Sequence, residues 1–211
     1  MNERFEPGLG VAFLTPLYDT FTGLLGFKAF AKQVLRVLKT TGIRGDEAAL
    51  DLGCGTGSLV NEIKSQFPRM AVTGMDPDRK MLQLAEKKIK KTGAEIELRH
   101  GFAQKLPFPD ASFDIVTSTM VFHHLPGEVK VAAMKEVRRV LMPGGFFLLA
   151  DFGKPESAVG KVLMGILGLF ESLSDNMKGK LPVMLREAGF HVEEKRPLWR
   201  GVQFLVARPG R

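Results

Sequence analysis

The stretch Ala49-Leu50-Asp51-Leu52-Gly53-Cys54-Gly55-Thr56-Gly57-Ser58 constrains the fold of this chain more than any other. A short apolar run ends in an acid, three alternate glycines follow, and a helical pattern begins at once. That order predicts a strand, a tight turn and a helix start. Glycine tolerates positive φ and lets the backbone approach a ligand closely. The N–H groups of the following helix terminus suit an anionic group above the turn. Asp51, at the strand end, can accept a hydrogen bond from a ligand ammonium. Donors on one side and a carboxylate on the other fit an amino acid zwitterion.

Two other readings compete for the same residues. One is a strand–helix turn that binds nothing. The other is a nicotinamide-type G-x-G-x-x-G/A fingerprint, forced as Gly53, Gly55 and Ser58. In that alignment Ser58 stands where Gly or Ala is expected, because the third glycine falls one place early.

A length of 211 residues suits one domain with a sizeable core. The formal charge of +7 admits nucleic acid or an anionic membrane surface as partners. The basic residues are scattered, however, and their densest run, Lys87, Lys88, Lys90 and Lys91, ends an expected helix, where cations complement the dipole. A solvated helix end explains the run better than a nucleic-acid patch. The single cysteine, Cys54, excludes an intrachain disulfide and fits a reducing, cytoplasmic setting. No run reaches the roughly 18 apolar residues of a membrane span, and the start lacks a signal peptide's basic region.

Taken in order, residues 1–46 form an N-terminal helical cap, with an amphipathic helix from Phe27 to Leu38 expected to pack over the ligand cleft or one sheet edge. After the glycine loop come helix Ser58–Phe67 and a second strand, Met70–Asp76, that also ends in an acid. Asp76 lies about 20 residues past the glycines, where a doubly wound fold places a carboxylate on ribose hydroxyls. Capping of the next helix is its alternative role. Met81, Leu82, Ala85 and Ile89 mark that helix's inward stripe, and Ile96 and Leu98 an outer strand. Phe113–Ser118 reads as a buried strand running into His123 and His124, followed by a helix Glu128–Leu141 with Val129, Ala132, Ala133, Val137 and Val140 inward. Met142–Gly145 reads as a turn and Phe146–Asp151 as a further buried strand, which closes a cofactor-binding core over 47–151. Residues 152–180 break the rhythm as a glycine-punctuated insertion. Residues 181–211 supply a closing helix and two strands, Phe190–Arg196 and Val202–Arg208. Their connection is too short for a crossover, so they are antiparallel neighbours. The expected architecture is a Rossmann-like α/β fold, a doubly wound, mostly parallel sheet closed by an antiparallel hairpin.

Several blocks together resemble the class I S-adenosylmethionine-dependent methyltransferases, whose sheet has seven strands. Leu50–Gly57 is similar to their D-x-G-x-G-x-G motif, Met75-Asp76-Pro77 to their ribose acid, and Gly101–Phe108 to their G-D-A-x-x-L-P-F loop. Phe113–Leu125 resembles their F-D-x-V-x-S…H-H-L strand, and Leu141–Gly145 their L-x-P-G-G turn. Tyr18-Asp19 and Leu185–Phe190 are similar, more weakly, to the ubiquinone/menaquinone C-methyltransferases. The resemblance implies S-adenosylmethionine as cofactor and no metal. It implies a cofactor site of Tyr18, Asp51, Gly53, Cys54, Gly55, Thr56, Gly57, Met75, Asp76, Pro77, Met81, Phe102, Ala103, Gln104, Thr117, Ser118 and His123. Phe102 departs from the pattern, because the family's loop carries Asp there; its ring can cover the adenine face instead.

Carbon or oxygen acceptors need a proton removed before or during transfer. His123 follows the strand whose end should face the methyl and is the candidate base, with a packed or capping histidine as the alternative. Asp151 and Tyr18 are candidates for orienting the acceptor or the methionine group. The expected acceptor is small and lipophilic, quinol-like. Other readings are N-methylation of a lipid headgroup or RNA base, a nicotinamide-dependent oxidoreductase, and a non-catalytic cofactor-binding protein. The insertion 152–180, with its apolar run Val162–Phe170, is expected to act as a lid for an apolar tail opposite segment 9–30, with peripheral contact to a membrane.

Overall fold

The computed structural model describes residues 27–155, 174–199 and 201–210. Tyr18, most of segment 9–30 and the run Val162–Phe170 lie outside the described residues.

Helix α1 (Phe27–Thr40) precedes strand β1 (Ala48–Leu52), α2 (Ser58–Gln66), β2 (Ala71–Asp76), α3 (Arg79–Thr92) and β3 (Ile96–His100). Strand β4 (Phe113–Thr119), a 3-10 turn (Phe122–His124), α4 (Gly127–Val140) and β5 (Leu141–Phe152) follow. Short helices α5 (Ser174–Met177) and α6 (Leu181–Glu187) lead into β6 (Phe190–Trp199) and β7 (Val202–Pro209). The strands form one seven-stranded sheet in the order β3-β2-β1-β4-β5-β7-β6. The first five pair in parallel, and β7 inserts antiparallel between β5 and β6. Strands β1 and β4 are neighbours although β2 and β3 intervene in the chain, so the sheet winds outward in both directions from them. Ligands of open α/β sheets bind at the carboxyl ends beside such a switch point.

Alternation along the strands divides the core between two faces. Phe146, Leu148 and Ala150 of β5 and Phe204 and Val206 of β7 pack with α1 and α2 through Phe30, Val34, Leu38 and Ile63. Phe147, Leu149 and Leu205 point the other way, onto Met134 and Val137 of α4 and Leu185 of α6. Phe30 lies 5.9 Å from Phe204, which places α1 on the sheet face across β5 and β7 rather than along an edge.

Three local expectations are corrected. Met142–Gly145 is not a turn between elements but a bulge inside β5, because Phe113 pairs Leu141 while Ile115 already pairs Phe146. The inward stripe of α4 is Lys130, Ala133, Met134, Val137 and Val140, with Val129 and Ala132 only half-buried. It rotates because Lys130, fully buried, reaches Asp175 at 3.6 Å. Strand β6 continues to Trp199 through a register shift after Lys195, so the closing turn is tighter than expected. Asp78, rather than the alternative Asp76, caps α3 by accepting from the Lys80 N–H at 2.7 Å, and Gly93 ends the helix at φ 66°. Asp76 therefore does not cap this helix.

Candidate active site

The ends of β1, β2, β4 and β5 converge on the glycine loop. Gly53 and Cys54 donate their N–H groups to the Met75 carbonyl at 2.8 and 3.0 Å, and Gly55 donates to Asp76 Oδ2 at 2.8 Å. Asp76 Oδ1 accepts from the Asp78 N–H at 2.9 Å. The loop is thus laced to β2, and Asp76 is held at the switch point by two backbone donors. Burial raises its pKa, and these N–H groups oppose the rise. Gly53 has φ 78°, and a Cβ there would stand 2.3 Å from Val121 Cγ2, so glycine is required for the β4 loop to press onto the β1 loop. At Gly55, φ is 53° and no described residue comes within 4 Å of the Cβ position. The backbone there is open to close approach.

Asp51 sits beneath this opening and is buried. Oδ1 accepts from the Thr117 hydroxyl at 2.7 Å, whereas Oδ2 has no hydrogen-bond partner among the described residues. Burial, opposed by the Thr117 hydroxyl and aided by Asp76, pushes its pKa up to about 7. An unpaired buried carboxylate is costly unless a cation or donor meets it. Ser118 donates to the Leu52 carbonyl at 2.9 Å, so it and Thr117 tie β4 to β1 inside the sheet. Cys54 is buried, and burial raises its thiol pKa, which leaves a packed neutral thiol rather than a nucleophile. Lys88 reaches back from α3 to the hydroxyls of Thr56 at 3.0 Å and Ser58 at 2.6 Å, so this lysine of the basic run braces the loop.

Beyond β4 the chain reverses through Met120, a non-glycine residue at φ 57°, whose N–H is held by the Ala150 carbonyl at 2.9 Å. Such a backbone state is uncommon and concentrates at functional sites. The reversal turns the N–H groups of Val121 and His123 onto Asp151 Oδ2 at 3.1 and 3.3 Å. The His123 ring follows, with Nδ1 2.8 Å from Asp151 Oδ1. Both side chains are buried. Burial raises the Asp151 pKa, but the His123 ring and backbone donors outweigh it and hold the carboxyl below its ordinary range. Asp151 is therefore ionised and accepts the Nδ1 proton. It faces His123 rather than an acceptor, which differs from the orienting role expected of it. The His124 ring lies against His123, centroids 3.9 Å apart and tilted by 44°, and burial, with help from His123, lowers its pKa to about 4. Among the described residues no group of three or more acidic, His or Cys side chains is arranged to hold a metal.

The profile of a methyltransferase domain matches residues 49–145, which carry the glycine loop and both histidines. The demethylmenaquinone methyltransferase of Bacillus velezensis is 33% identical over 66% of this chain, which spans 60% of that relative. The demethylmenaquinone methyltransferase of Listeria welshimeri is 29% identical over 90% of each chain. Among solved structures, the YcgJ protein from Bacillus subtilis superposes with a TM-score of 0.62 at 28% identity, covering 76% of this chain and 68% of its own. Residues 49–145 are a methyltransferase domain, and the chain is similar to these demethylmenaquinone methyltransferases.

The residues of this methyltransferase fit its cofactor, S-adenosylmethionine. The unpaired Oδ2 of Asp51 is an acceptor for an ammonium, and the open face of Gly55 admits a ligand against the backbone. Asp76, fixed but with lone pairs remaining, is placed to accept from hydroxyls. Phe102 is half-buried and edge-on to His100, with ring centroids 5.7 Å apart. His100 is anchored in turn, its Nε2 3.0 Å from the Pro77 carbonyl. The His100 ring thus braces Phe102, a contact that the sequence pattern does not announce. Ala103, Gln104 and Met81 are likewise half-buried, and Pro77 follows Asp76 directly. If Phe102 covers the adenine, Phe102→Ala should weaken cofactor binding by about 1–3 kcal/mol, as base–aromatic stacks do. Titration calorimetry on both proteins reads this; equal affinities would assign the ring to packing alone.

Proposed function

We propose that this methyltransferase adds a methyl group to a ring carbon of a lipophilic, quinol-like acceptor, with His123 as the base. The observation that carries the reading is the buried His123–Asp151 pair at the carboxyl ends of β4 and β5, beside the glycine loop. S-Adenosylmethionine supplies a methyl already activated on a positively charged sulfur. The protein's task is then alignment, exclusion of water and removal of a proton. Alignment alone can lower a barrier by roughly 7–11 kcal/mol.

A neutral quinol carbon is a weak nucleophile and becomes a strong one when its ring hydroxyl loses a proton. Asp151 holds the His123 proton on Nδ1, which leaves Nε2 as the basic nitrogen. Nε2 takes the hydroxyl proton, and the ionised Asp151 stabilises the imidazolium that results. Once the ring carbon bears the methyl, the hydrogen it carried leaves as a proton and the ring oxygen regains one, so the net release is one proton. Asp51 and Asp76 hold the cofactor's ammonium and ribose. N-methylation of an amine would need no such base once the amine is neutral, so a buried base favours the carbon acceptor. The names of the two curated relatives point the same way.

The excess positive charge suits approach to an anionic membrane surface that holds such an acceptor. No helix among the described residues is long and apolar enough to cross a membrane. The deciding experiment offers labelled S-adenosylmethionine and reduced demethylmenaquinone to the purified protein. Label on the quinone ring carbon is the expected result. Transfer only to a headgroup amine or RNA, with none to the quinone, would overturn the proposal.

A further inference from the structure

Asp151 draws a donor that lies far along the chain. Asn176 of α5, fully buried, donates from Nδ2 to Asp151 Oδ1 at 3.2 Å and to the Phe152 carbonyl at 3.1 Å. Both amide hydrogens are taken, and the opposite orientation would set its oxygen against two acceptors. The orientation is therefore assigned by the network. Asn176 Oδ1 is left buried with no hydrogen-bond partner among the described residues, an arrangement that native interiors rarely keep. A small apolar residue would avoid that cost, so it is the donating end that accounts for an asparagine here. Helix α5 is pinned nearby: Asp175 lies 3.6 Å from the buried Lys130 of α4 and 3.2 Å from Lys180.

We infer that Asn176 is a positioning residue of the His123–Asp151 pair. It donates to the same carboxylate oxygen that bonds the His123 ring, and so sets both the aim of that oxygen and the proton affinity of His123. The inference rests on the proposed role of His123 as base. Each donor withdraws negative charge from a carboxylate. Without Asn176, more of the Asp151 charge acts on His123, and the imidazolium is favoured. Among the described residues, groups near the pair include the His124 ring at 3.9 Å and the Phe152 ring at 4.9 Å, both measured from the His123 ring, and Lys130, which interacts electrostatically with Asp151 and lies 3.6 Å from Asp175.

The test follows the His123 Cε1 proton by NMR through a pH titration, assigned by its loss in His123→Ala. It needs no acceptor. Asn176→Ala should raise the His123 pKa by about 0.5 unit, and the nearly isosteric Asn176→Leu, which has no donor, by a similar amount. The acid limb of kcat should move with it, while the cofactor Kd stays unchanged. In an Asp151→Asn background the Asn176 substitutions should move neither. If the alanine variant fails to fold, the leucine variant carries the test. A His123 titration unmoved by either substitution, or moved equally when Asp151 is Asn, would overturn the inference. Full turnover in His123→Ala would instead remove the base itself. An inactive His123→Ala with unmoved titrations would remove only Asn176.

Discussion

His123→Ala is expected to lower kcat with a reduced quinone acceptor by about 10²–10⁴-fold, the usual range for a positioned general base. Cofactor affinity should be nearly unchanged, because Asp51, Asp76 and the glycine loop bind the cofactor and remain intact. Asp151→Asn should lower kcat in the same direction. An amide oriented to satisfy the N–H groups of Val121 and His123 no longer stabilises an imidazolium on the ring 2.8 Å away. Steady-state kinetics with parallel calorimetry separates the terms. A loss of kcat alone identifies the proton acceptor, and an equal loss of cofactor affinity would mean a distorted loop. Unimpaired turnover in His123→Ala would make this histidine a structural partner of Asp151 and move the search for a base elsewhere.

The second expected effect is a pH-dependent affinity for S-adenosylmethionine set by Asp51. A cationic ligand group requires the ionised carboxylate, whose pKa burial has raised to about 7. Affinity should fall about 20- to 30-fold between about pH 7.5 and about pH 5.5 as Asp51 takes up a proton. Asp51→Asn should bind weakly throughout and lose most of that slope. The sign for stability is opposite. The folded pKa lies above the unfolded one, so burying Asp51 destabilises the unliganded protein increasingly as pH rises from about 4 to about 7. Asp51→Asn removes that cost, and the Tm of the unliganded variant at neutral pH should exceed that of the wild type. Calorimetry across the pH range and thermal melts measure both. A flat wild-type affinity would mean that Asp51 does not meet the ammonium.

The legible parts of the fold are those whose physics is local. The glycine loop declares itself because alternate glycines between an apolar run and a helical pattern admit few conformations. The end of α3 at Gly93 and the closing hairpin are set by neighbours in the chain. The Met142–Gly145 bulge was misread because Pro and two glycines signal a turn equally well at the end of a helix or inside a strand. Only pairing with β4 distinguishes them. Lys130 was passed over because a lysine on a helix is ordinarily solvated, and nothing near it in sequence announces Asp175.

The sequence by itself determined that the chain is a doubly wound sheet, that its ligand end carries Asp51, Asp76 and His123, and that the last two strands run antiparallel. Each follows from residue order over a few positions, where backbone sterics and periodicity decide the outcome. The tertiary structure alone decided that β7 slips between β5 and β6, that Asp51 keeps one oxygen unpaired, and that Asp151 turns to His123 and collects Asn176. These depend on contacts between segments far apart in the chain, 28 residues for His123 to Asp151 and 66 for Asp51 to Thr117. Burial and hydrogen-bond demand at such contacts are properties of the packed interior, which no local pattern encodes.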